Sequence, residues 1–227
     1  MLDLAPALAT GLAGMRRNLV PGLILWAVGM AVLGGYYLVP ALRPAYVGIA
    51  TWKNDGGLLA SSVLIAVAGG VVPFVVLLAQ GRVDPEFRLG HLVALTALWA
   101  WRGGEVDLFY RLQSLLFGDG ADLATLVKKV VVDQAFYTAL WSVPSTFLIS
   151  RWWIDHRGSF RPAWASLDRT FWRVDMPGLI LAAWMVWIPM VCIINSLPAD
   201  LRVPMLAIAV VFWSLCVAAA GTPKESR

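Results

Sequence analysis

Asp133 and Gln134 stand about a turn inside residues 128–150 (KKVVVDQAFYTALWSVPSTFLIS), a run otherwise apolar and long enough to cross a bilayer. Roughly 20 apolar residues at about 1.5 Å each span the roughly 30 Å hydrocarbon layer. An Asp at the centre of such a helix costs about 2.5 to 3.5 kcal/mol, so it is expected to face the bundle interior, water or a partner. Lys129 precedes Asp133 by one helical turn and is the nearest candidate partner. Two readings stand side by side: a group on a pore or proton relay, or an ion pair closing a helix end at the interface.

A second charged cluster interrupts another apolar face. Residues 91–101 run directly into Arg102, Gly103, Gly104, Glu105, Val106 and Asp107 before aromatic and apolar residues resume. The apolar part is too short to cross alone. Either the helix ends at the glycine pair or it continues to about Phe117 with a charged middle, and the continuous helix is preferred. On it Arg102 and Glu105 are three apart and Asp107 and Arg111 four apart, spacings at which opposite charges meet on one helix surface. These groups either line an aqueous path or form a self-paired strip between helices. With Lys129, Asp133, Gln134 and Asn195 they make up the candidate polar core.

The elements that must hold these residues are helices in lipid. Hydrophobic residues are 59% of the 227 and charged ones 14%, with a mean hydropathy of +0.73. An ordinary soluble domain has about 45 to 50% apolar and about 25% charged residues. The composition predicts an all-α integral membrane protein, one polytopic bundle of about six spans. The net charge of +4 is small for a nucleic-acid binder, and no basic, aromatic-interleaved patch lies outside membrane-flanking segments. Cys192 and Cys216 fall in separate spans without metal-ligand spacing and read as small buried hydrophobes.

Span one is expected over residues 19–41, bounded by Pro21 and Pro40 and retained rather than cleaved, with residues 1–18 ahead of it. Residues 43–57, holding Asn54, Asp55, Gly56 and Gly57, read as a polar turn. Span two follows over 58–78, where Gly69, Gly70 and Pro73 predict a kink or a close contact. Residues 80–90 read as a solvated loop. Residues 151–175 interleave five arginines with six aromatics, and Trp164, Leu167 or Asp168, and Phe171 recur at helical spacing after Pro162. They predict an interfacial amphipathic helix suited to anionic lipid. Span five covers 177–195. Span six covers 203–221, with Asp200 as its cap and a short polar tail over 222–227. With six spans, Arg16, Arg17, Arg82, Arg88, the five linker arginines, Lys224 and Arg227 lie on one side, eleven cations in all. Arg43, Lys53, Arg111, Lys128, Lys129 and Arg202, six, lie on the other, which puts both termini on the cytoplasm-equivalent side.

Residues 126–144, LVKKVVVDQAFYTALWSVP, resemble the K-K-x-x-x-D-Q followed by Pro of the Mpv/PMP family of small peroxisomal and mitochondrial inner-membrane proteins. Residues 187–218 are similar to that family's closing pattern, with Trp187, Pro189, Asn195, Pro198, Arg202 and Trp213 at family positions. Phe109, Tyr110 and Arg111 resemble its W-Y-K, and Lys128 and Pro144 belong to the first motif. The likeness covers about residues 58–220, leaving span one as an addition to a four-helix core. Departures are Ile188 between Trp187 and Pro189, Ser196 after Asn195, a shorter turn before Pro198, and Gly103 and Gly104 in place of Gly-Pro.

The resemblance implies a channel or a homeostasis factor in an organellar membrane, and by composition and charge a bacterial inner membrane would look alike. The alternative is a non-transporting scaffold that binds a protein partner or anionic lipid. Partners expected are the bilayer, a small solute or ion, anionic lipid along Arg151 to Arg173, and further copies of the chain. Two histidines on separate segments, and no HExxH, GxSxG or P-loop pattern, give no expectation of catalysis, metal or cofactor.

Overall fold

The computed structural model describes residues 4–220, with side chains through Leu215, and all regular structure in that range is helical. The tail at 222–227 and the side chain of Cys216 lie outside the described residues. The α-helices are α1 (Leu4–Leu38), α2 (Arg43–Ala66), α3 (Val72–Ala79), α4 (Arg88–Phe117), α5 (Leu123–Val131), α6 (Val143–Ser150), α7 (Phe160–Ala165), α8 (Met176–Asn195) and α9 (Ala199–Ala220). Three stretches are long and apolar enough to cross a membrane: Leu4–Leu38, Pro40–Ala79 and Phe171–Asn195. The chain is therefore that of a membrane-embedded protein.

Wider π-type turns cover Val67–Val71, Val132–Ser142, Arg151–Asp155 and Phe171–Asp175. Three of the four end two residues before a proline: Pro73, Pro144 and Pro177. A proline ring inside an α-helix lacks an N–H and collides with the carbonyl four residues back. Widening the preceding turn relieves that collision without breaking the helix. The kink expected at Pro73 takes this form, and the segment before Pro144 is widened in the same way.

The chain groups into two compact units. The first holds α1 as far as Met30, together with residues 120–196. Within it α1 and α8 run parallel, because Gly11 faces Leu181, Gly14 Ala182, Gly22 Val186, and Gly29 Met190 and Ile193. Small residues on α1 let the two backbones approach closely. Pro189 removes the donor that the Met185 carbonyl would receive, and beside that opened turn the Val186 carbonyl accepts from Trp26 Nε1 at 2.9 Å. Trp184 Nε1 donates to the Gln134 carbonyl at 3.1 Å, tying α8 to the widened 132–142 segment.

The second unit holds residues 31–119 and α9. There α2 packs along α4, and α9 packs against α2, α3 and α4. Gly69 lies under the Trp99 ring, Gly70 against the Thr96 backbone, and Gly103 against the Ser61 carbonyl and Ser62 Cα. The close contact expected at Gly69 and Gly70 is present. Gly103, where an end of the helix was one alternative, is instead the residue that lets α4 seat on α2. The continuous helix is what the structure has, since α4 runs 30 residues through the charged middle.

Four boundaries differ from the sequence expectations. Span one does not begin at residue 19: α1 starts at Leu4 and passes through Pro21, with Arg16 and Arg17 exposed on it. Residues 43–57 are not a turn, because Pro44 opens helix α2, which breaks only at Gly57 with φ 54°. The interfacial helix is not one helix: α7 has six residues and stops at Ala165, and Phe171, buried rather than lipid-facing, starts a separate turn. Asp200 does not cap a helix from residue 203, since α9 starts at Ala199 and Asp200 lies in its first turn.

Asp122 caps α5, its Oδ1 accepting the Thr125 amide at 3.0 Å. Hydrogen bonds from Thr125, side chain first and then backbone, hold this carboxyl below the usual carboxylate range. The folded value thus lies below the unfolded one, so the cap stabilises at neutral pH and is lost as pH falls through the folded value. Amide exchange at Thr125 and Leu126 should accelerate on that acidification and be already fast at neutral pH in Asp122→Ala. Exchange that ignores both changes would remove the cap from the account.

Candidate functional site: a charged cavity in the second unit

Asp107 is the centre of a dense polar cluster. It is 2% exposed and accepts from Lys53 Nζ at 2.9 Å, Ser61 Oγ at 2.9 Å, and Arg111 Nε and Nη2 at 3.1 Å each. Helical geometry supplies Arg111, one turn on along α4. Packing supplies the other two, from consecutive parts of α2 on either side of the Gly57 break. Both carboxylate oxygens are bridged, which is what a buried charge requires.

Next to this cluster lies a cavity of about 360 Å³. Lys53, Asn54, Asp107, Tyr110 and Arg111 form one part of its wall, and Ser114, Ala199, Asp200 and Arg202 the other. The first turn of α9 is thus part of the lining, and its amides give that side a positive electrostatic character. Arg202 is 1% exposed, and its Nη1 donates to Ser114 Oγ and Asp119 Oδ1 at 2.8 Å each. Its Nε and Nη2 have no hydrogen-bond acceptor in the protein. Three cations and two carboxylates therefore line one small space, a density that apolar packing alone does not need.

The remaining sequence candidates sit elsewhere. Arg102 Nη1 donates to both Glu105 oxygens, at 2.9 and 2.8 Å, and Trp101 Nε1 to the same carboxylate. This pair is as the three-residue spacing predicts, but neither member lines the cavity. Lys129, Asp133, Gln134 and Asn195 belong to the first unit. Asp133 is buried and accepts from Gln134 Nε2 at 2.6 Å and Thr138 Oγ1 at 3.3 Å, with Lys129 fully buried one turn before it. Asn195 Nδ2 donates to the Val191 carbonyl at 3.1 Å and so closes the end of its own helix. The members of the candidate polar core are thus divided between the two units. Of its members only Asp107 lines the cavity.

Among the family positions, Tyr110 and Arg202 line the cavity, whereas Lys128 is exposed, and Pro144, Trp187, Pro189, Pro198 and Trp213 are half-buried in or beside α6, α8 and α9. Lys53 falls outside the sequence candidates because residues 43–57 read as a turn, and Ser61 because a lone serine within span two carries no distinguishing signal. Pro44 was the available signal, since a proline in a first turn favours a helix start. No group of three or more His, Cys, Asp or Glu side chains that could hold a metal occurs among the described residues. No family model, curated protein or solved structure matches the chain, so any assignment of function has to come from this geometry.

Proposed function

We propose that the protein is a six-span channel or transporter for small polar solutes, of the Mpv/PMP kind, in a bacterial inner or an organellar membrane. The observation that carries this reading is the charged cavity. Lys53 lies within the apolar stretch Pro40–Ala79, and the residues facing it on α4 are charged as well. Ionisable groups enclosed by protein in a membrane-embedded chain are costly for a purely structural role, and in membrane proteins such groups mark solute and ion paths. The orientation with both termini on the positive side gains support from burial. Lys53, Lys129 and Arg202 are enclosed by protein, so the minority side keeps only Arg43, Arg111 and Lys128 at exposed positions.

Purified protein in liposomes should release small charged solutes faster than protein-free liposomes. Arg111→Gln, which alters an exposed side chain of the cavity wall, should change the ratio of anion to cation flux severalfold. Asp133→Asn tests the other polar centre: an unchanged rate removes Asp133 from the route. Release no faster than from empty liposomes would leave the second reading, a scaffold on anionic lipid. That reading is favoured by the exposed Arg157, Arg161 and Arg169 set among exposed Trp152, Phe160, Trp164 and Trp172.

A further inference from the structure

We infer that the cavity binds a compact oxyanion, a carboxylate or phosphate group, held by Arg202 with Lys53 and Arg111. This deepens the transport reading by naming the class of solute, and it starts from the same cavity.

Arg202 has hydrogen-bonding capacity that the protein leaves unmet. A guanidinium has five N–H donors in a fixed fork, and one that is buried should have them satisfied. In Arg202 the Nη1 end serves Ser114 and Asp119, while the edge formed by Nε and Nη2 meets no acceptor. That edge is the one whose parallel N–H bonds match two oxygens of a carboxylate or phosphate. A ligand in the cavity would draw the fork toward itself, so binding is expected to be sensitive to arginine as such and not only to positive charge.

The surroundings favour the same sign of ligand. Lys53 and Arg111 line the cavity against Asp107, whose oxygens are already engaged by those two cations and Ser61, and Asp200 is the other acidic group of the wall. The Asp119 carboxylate on Arg202 is 54% exposed, so water screens much of its charge. The α9 amino-terminal turn at Ala199 adds a helix dipole end that attracts anions. The volume, about 360 Å³, is at the low end of the range for small-molecule sites and suits a compact ligand.

The oxyanion can arrive free in water or as a lipid headgroup, and two arms separate these sources. In the first, delipidated protein in neutral detergent is titrated with radiolabelled inorganic phosphate, and in parallel with acetate, at constant ionic strength set by chloride. In the second, protein in nanodiscs is scored for retention of phosphatidic acid over phosphatidylcholine. Saturable phosphate or acetate binding in the first arm identifies a free oxyanion, and selective lipid retention without it identifies a headgroup. In whichever arm is positive, Arg202→Lys should weaken binding roughly tenfold, as expected when a bidentate fork becomes a point charge. Should that variant not fold, Arg111→Gln, altering a side chain that is 54% exposed, is expected to fold and to show a loss in the same direction. No binding in either arm, or binding unchanged in the variants, overturns the inference. Flux of neutral solutes without oxyanion binding overturns it while sparing the transport reading, and binding without any flux does the reverse.

Discussion

Asp107→Ala is expected to cost the protein about 3 to 5 kcal/mol, the range for removing one partner of a buried ion pair. Lys53 would be left 4% exposed with its ammonium facing the empty position. Ser61 would lose its carboxylate acceptor as well. Arg111 matters less, because its side chain is 54% exposed and water replaces the lost bonds, so Arg111→Gln should cost under about 1 kcal/mol. The paired change Lys53→Met with Asp107→Leu should regain most of the loss, since a buried ion pair is often no more stable than apolar groups of similar volume. Equilibrium unfolding in micelles, followed for the two single variants and the paired one, measures all three. If Asp107→Ala unfolds within about 1 kcal/mol of wild type, Lys53 has another way of holding its charge, and the cluster is not the buried centre described.

Gly103→Leu should destabilise by about 3 kcal/mol, at the upper end of what overpacking costs. A Cβ there would overlap the Ser61 carbonyl and come within 2.8 Å of Ser62 Cα and 2.9 Å of Ile65 Cβ, so backbone and not a mobile side chain resists it. The α2–α4 seam would have to open, carrying Ser61 away from Asp107. The neighbouring Gly104 is the control. Its Cβ would meet only the Ser62 Oγ at 3.0 Å, which can rotate aside. Gly104→Ala should therefore be neutral or stabilise by up to about 1 kcal/mol through helix propensity. Equal effects at the two glycines would mean that propensity, and not helix contact, decides both. Flux measured on the folded fraction of Gly103→Leu would then report whether the seam shapes the cavity.

Several features of the fold were legible because their causes are local. The apolar composition and run lengths gave the class, all-helical and membrane-embedded, since backbone in lipid has to satisfy its own hydrogen bonds. The continuity of α4, and the pairs Arg102–Glu105 and Asp107–Arg111, follow from 3.6 residues per turn and need no partner helix. The prolines at 73 and 144 marked distorted turns for a covalent reason, although their π-type form was not legible. Where local signals conflicted, the reading failed. Asn54, Asp55, Gly56 and Gly57 signal a turn more strongly than Pro44 signals a helix start, yet the segment carrying Lys53 is helical.

What the chain determined by itself is thus the kind of molecule and the charges along each helix face. Only the tertiary structure decided which charges meet. Lys53 reaches Asp107 across 54 residues, and Arg202 reaches Ser114 and Asp119 across 88 and 83. It also placed Asp133 and Asp107, each a carboxylate with a cation four residues away along its own helix, in different units with different partners. Periodicity fixes which side of a helix a residue occupies. The neighbour on that side depends on how closely glycines such as Gly70 and Gly103 let the helices approach, and on where Gly57 bends one of them, and neither is encoded at any single position.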